Sequence, residues 1–148
     1  MYPFFIFAQT TTPEKISFLV DDSTGSFIFK AKFANPSSGE QIYLTSVYYY
    51  VLFTKDSIKA FLPYFGRAFS GPAMASHGAL KFISFKYQKQ LKQRKKGIDV
   101  TFLLKDVEDV WKLSIVVTKD ATGSLTLYSN RLQTISYIGN VEKGTNVP

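Results

Sequence analysis

Apolar and polar residues alternate with a period of two along most of this chain, the pattern of strands that bury one face. Phe27, Phe29, Ala31 and Phe33 alternate with Ile28, Lys30 and Lys32. Ile58, Ala60 and Leu62 fall on one side of a second strand, with Ser57, Lys59 and Phe61 on the other. Ile98, Val100, Phe102 and Leu104 form a third set, and Trp111, Leu113, Ile115 and Val117 a fourth. Strands are also expected over Ala79–Phe85, around Leu125 and Leu127, and over Thr134–Val141. Gln41–Thr54 reads as one long strand, apolar on both sides, and therefore central or bent. Turn chemistry punctuates these runs at Asn35-Pro36-Ser37-Ser38-Gly39 and at Asp120-Ala121-Thr122-Gly123. The second has Asp first and Gly fourth, which predicts a type I hairpin turn. One helical signature stands apart from the rest. Thr12 suits an N-cap, Pro13 the first helical position and Glu14 the first turn, while Ile16, Leu19 and Val20 form one stripe. A short helix is expected between Pro13 and Asp21.

Eight strands with short connections predict an all-β, mainly antiparallel fold. An eight-stranded meander can close into a barrel or a strongly curled sheet, with the short helix at its N-terminal side. A two-sheet β-sandwich is the alternative. The length of 148 residues suits one domain, expected over residues 9–141, with 142–148 as a flexible tail. Fourteen Phe and nine Tyr reinforce the preference for sheet. Tyr2–Ala8 is an apolar run too short to span a bilayer, followed by polar Thr10–Thr12. It resembles the end of a signal peptide lacking its basic start, so residues 1–8 are expected to be a signal-peptide remnant, with an ordinary apolar N-terminal strand as the alternative. The expected location is the periplasm or the exterior of a bacterial cell, with no transmembrane span.

The chain is organised around Ser57–Ser70, with its corner at Leu62-Pro63-Tyr64-Phe65-Gly66-Arg67-Ala68-Phe69. Pro63 ends the strand and Gly66 permits a turn directly after two large rings. Arg67 then brings a guanidinium among apolar and small residues, either facing solvent with its stem on Phe65 or Phe69, or partly buried with its planar fork on strand-end carbonyls or a carboxylate. Together with Tyr48 and Tyr50, the residues Tyr64, Phe65 and Arg67 form the candidate ligand or partner site. The segment Gly66–Gly78 that follows is a long loop, and loops of this length are often functional.

These residues resemble a known family. Leu62–Phe69 preceded by Lys55-Asp56-Ser57, then Gly78-Ala79-Leu80-Lys81-Phe82, then Ser129-Asn130-Arg131 with Ile135-Ser136-Tyr137-Ile138-Gly139 follow the motif order of bacterial domain-of-unknown-function family 4251. The likeness runs from about Ile16 to Val141. It implies a small envelope or exported domain of Bacteroidota-type bacteria, and no activity. The chain departs from the family pattern at Tyr48-Tyr49-Tyr50 and along Lys86–Lys96.

Candidate chemistry is sparse. The absence of cysteine excludes disulfides, thiolate metal sites and a cysteine nucleophile. His77 is the single histidine, and nearby Ser70 and Ser76 belong to a Gly/Ala/Ser-rich loop, so no catalytic triad is legible. Asp106, Glu108 and Asp109 share one turn and read as a solvated tip, with a weak calcium site as the alternative. No enzyme, cofactor or metal is expected. Net charge is +7, and Lys86, Lys89, Lys92, Arg94, Lys95 and Lys96 place six of the eighteen basic residues within eleven positions. Such density fits a polyanion (anionic lipid, glycan or, less well, nucleic acid) or a solvated edge that resists aggregation. Two functions follow. The first is a non-enzymatic exported β-domain that binds a small amphipathic ligand or an envelope partner near Tyr64–Gly78. The second is a basic surface module working through Lys86–Lys96.

Overall fold

The computed structural model describes residues 14–19, 26–36, 40–44, 49–63, 79–130 and 132–144. Among them the period-two segments become strands β1 (Phe27–Pro36), β2 (Ile42–Tyr43), β3 (Tyr50–Phe53), β4 (Ile58–Pro63) and β5 (Ala79–Ser84). Strands β6 (Tyr87–Arg94), β7 (Gly97–Leu104), β8 (Lys112–Thr118), β9 (Thr122–Tyr128) and β10 (Ile135–Lys143) follow. All ten belong to one antiparallel sheet of order β5-β4-β3-β1-β10-β9-β8-β7-β6, with β2 on a side branch from β1. The sheet curls strongly into a half-barrel, as anticipated, and among the described residues helix is confined to the short 3₁₀ element Glu14–Leu19. Ile16 and Leu19 from that element are buried against the sheet.

The order is that of an up-and-down barrel with a displaced seam. First and last strands pair, β1 with β10, whereas β5 and β6, separated only by Phe85 and Lys86, do not pair and form the two edges. Curvature brings remote strands together on the concave side. Phe53 of β3 stacks on Phe27 of β1 at 4.5 Å and on Phe102 of β7 at 4.9 Å. Each fully buried large side chain of this layer, Phe29, Ile58, Leu113 and Ile115 among them, contributes about 1.5–3 kcal/mol by leaving water.

Three local readings are corrected. The alternation of β1 holds from Phe27 to Ala31, but the register against β10 shifts between Ala31 and Phe33. This bulge turns Phe33 away and buries Ala34 instead, because one extra residue inverts all that follow. Gly139 of β10 lies opposite Ala31, and a Cβ there would stand 1.9 Å from the Lys30 carbonyl oxygen. Gln41–Thr54 is not one strand: β2 and β3 are separate, and both pair with the same edge of β1. Lys86–Lys96, outside the eight expected strands, supplies the whole of β6.

The β8–β9 turn is also shifted. Ala121 donates its N–H to the Thr118 carbonyl at 2.9 Å and has φ of 68°, so the turn is Thr118–Ala121 with a left-handed closing residue. Gly123 lies inside β9, where a Cβ would meet Val141 and Phe29 at 2.9 and 3.1 Å. β10 continues through Lys143, and Glu142 and Lys143 pair with Ile28 and Phe27, so neither belongs to a loose tail. No helix among the described residues is long and apolar enough to cross a membrane.

Candidate functional site

The expected ligand residues divide. Tyr48, Tyr64, Phe65 and Arg67 lie outside the described residues, as do His77, Ser70, Ser76 and residues 1–8. Tyr50 sits on β3 and lines an open groove of about 470 Å³ on the convex side of β3, β4 and β5. Register explains its composition. Tyr50 pairs with Phe61 and Phe61 with Lys81; two residues along, Leu52 pairs with Lys59 and Lys59 with Ile83. Residues paired in adjacent strands share a face, so these six form a small grid in which cations and apolar groups interleave.

Within this grid Phe61 is the centre. Tyr50 meets its ring nearly edge-on at 6.4 Å, Tyr49 lies at 5.6 Å, and the Lys81 ammonium stands 4.9 Å from its centroid. Ile83 is 46% exposed at the β5 edge, while Tyr50 is only 8% exposed. The groove thus offers a fixed aromatic wall, an exposed aliphatic side and two lysines. It lies on the strands that run into and out of the organising corner, β4 ending at Pro63 and β5 beginning at Ala79. The sequence showed Lys59 and Phe61 sharing one side of a strand. Adding Lys81 and Ile83 to them requires the β4–β5 register, which no local pattern contains.

The basic run does not present one face. In β6, Tyr87, Lys89, Leu91 and Gln93 pair with Leu104, Phe102, Val100 and Ile98, whose side chains are buried in the concave core. Lys89 is therefore on the concave side, whereas Lys92 and Arg94 are on the convex side opposite Asp99 and Gly97. Arg94 forms an ion pair with Asp99. Lys95 and Lys96 make the hairpin tip, and Lys86 lies in the corner between β5 and β6.

That corner is tied by Asp106. Its carboxylate accepts hydrogen bonds from the Ser84 hydroxyl at 2.5 Å and from the N–H groups of Phe85 at 2.8 Å and Lys86 at 3.1 Å. The Ser84 hydroxyl and then the Phe85 amide hold the Asp106 carboxyl below its ordinary pKa, because both stabilise the ionised form. Asp106 is thus a structural acceptor and not part of a free acidic tip. Among the described residues no three His, Cys, Asp or Glu side chains gather as a metal ion would require.

The sequence matches the family described as Domain of unknown function (DUF4251) over residues 11–141. The chain belongs to this family. The half-barrel is similar to the crystal structure of a DUF4251 family protein from Bacteroides eggerthii, with a TM-score of 0.61, 15% identity and 84% of each chain covered. At that identity the likeness speaks for the DUF4251 fold alone. No curated protein matches the chain.

Proposed function

We propose that this DUF4251 domain is an exported, non-enzymatic binding protein whose groove on β3, β4 and β5 takes a small amphipathic acid. The observation that carries this reading is the grid of Tyr50, Phe61, Lys59, Lys81 and Ile83 around about 470 Å³ of open space. Ligand sites combine apolar walls with a few placed polar groups, and this volume lies within the usual range of about 300–1,000 Å³. The two lysines select an anionic head, and a lysine already held over a ring can be recruited to it without ordering a new side chain.

Calorimetric titration with naphthalene-2-carboxylate tests the reading. Binding is expected in the wild type, with affinity falling at least tenfold in the Lys59→Gln, Lys81→Gln double variant. Naphthalene-2-carboxylate binding that is absent, or indifferent to both lysines, would refute the assignment. Fractionation of the producing bacterium should place the protein outside the cytoplasm, and a cytoplasmic location would refute the exported part.

A further inference from the structure

The concave side carries a second feature that the convex groove does not explain. A pocket of about 280 Å³ opens at the mouth of the half-barrel, with Phe27, Phe53, Phe102, Tyr87, Lys55 and Lys89 in its lining. We infer that this mouth is a separate binding site for a single aliphatic chain ending in a carboxylate.

The pocket borders the uncovered edge of the sheet at β6. On β5, the concave-side residues Leu80 and Ser84 are 1% and 0% exposed. On β6 the concave side stays open: Leu91 faces the same way as buried Val100, yet is 37% exposed. The inner surface therefore continues outward from the pocket along Tyr87, Lys89 and Leu91, a strip that is apolar at both ends and cationic in the middle.

Ring geometry then selects the ligand. Phe53 stacks on Phe27 and on Phe102 at interplanar angles of 15° and 25°, and none of the three rings is more than 4% exposed, so little ring face is offered to a ligand. Face-to-face stacking with a planar molecule is thereby disfavoured, and a flexible chain fits better. The Tyr87 hydroxyl donates to the carbonyl oxygens of Thr54 and Lys55, each at 3.3 Å, which fastens β6 to the β3–β4 turn and fixes the width of the mouth. Lys55 and Lys89 supply two positive charges in the lining. Burial, and then the negative charge of Asp56 in the same turn, push the Tyr87 hydroxyl's pKa up, but Asp56 itself is not in the lining; the charged side chains that line the pocket are Lys55 and Lys89, and these favour an anion. The volume, slightly below the usual range for drug-sized ligands, suits one chain and not two.

Titration of the intact protein with decanoate, decanol and decyltrimethylammonium decides the matter. Decanoate should bind tightest and the cationic amphiphile weakest. Lys55→Gln with Lys89→Gln should weaken decanoate at least tenfold and leave decanol within twofold. Leu91→Gln, on an exposed edge where folding is not at stake, should weaken decanoate and decanol alike. The groove variant Lys59→Gln, Lys81→Gln should leave decanoate binding unchanged, which separates this site from the proposed function. Equal affinity for decanoate and decanol, absence of decanoate binding, or loss of it only in the groove variant would each overturn the inference.

Discussion

Tyr137 of β10 donates its phenolic hydrogen to the carbonyl oxygen of Pro63, the last residue of β4, at 2.6 Å and out of reach of water. The two residues are 74 positions apart, so this bond joins the concave side of the sheet directly to the end of β4. Tyr137→Phe should lower stability by about 1–3 kcal/mol, because a buried acceptor loses its donor while packing is kept. An unchanged urea midpoint would show that the carbonyl is satisfied without Tyr137.

Gly139→Ala should be the more damaging change. A methyl group there would lie 1.9 Å from a backbone oxygen of β1, which cannot rotate away. The expected loss is about 3 kcal/mol, the upper end for overpacking, with soluble yield reduced. A variant that melts with the wild type would mean that the β1 bulge slides to accommodate the methyl.

Ala121→Gly should stabilise the protein. Ala121 closes the β8–β9 turn at φ of 68°, a conformation that disfavours a Cβ. Relief of that strain, less the greater freedom of glycine in the unfolded chain, leaves a gain of up to about 1 kcal/mol. Thermal unfolding of the pair measures it, and a lower midpoint for the glycine variant would contradict the expectation.

Acid should loosen the β5–β6 corner. The folded-state pKa of Asp106 is depressed, so its contribution is fully present above the unfolded carboxylate value of about 4 and is lost as pH falls through the folded value. Asp106→Asn should therefore be less stable than wild type at neutral pH, with the difference shrinking below about pH 4. A difference independent of pH between 3 and 7 would show that the carboxylate charge does not matter.

The sequence revealed what depends on local alternation and missed what depends on pairing between distant strands. The strands around Ile58, Ile98 and Leu113 were legible because their inner residues recur at every second position. The bulge after Ala31 was not, since its cause is the partner β10 and its glycine. Gly123 looked like a turn residue, but the space it vacates is filled by Phe29 and Val141. Asp106 looked like a solvated tip because the groups it binds lie twenty residues earlier and more. For the candidate site, Tyr50 was named from its tyrosine run, whereas Lys81 and Ile83 joined it only through the β4–β5 register.

The insertion of β1 between β3 and β10 sets the order of events during synthesis. β1 leaves the ribosome first and can pair early with β2 and β3, but its second edge has no partner until Ile135–Lys143 has been made. For most of translation the nascent chain therefore carries Phe27, Phe29 and Phe33 on a strand with one unprotected edge. Such non-local closure is slow and exposes apolar edges meanwhile. The half-barrel is completed by its last strand, and a chain truncated before Ile135 should be held by chaperones instead of folding.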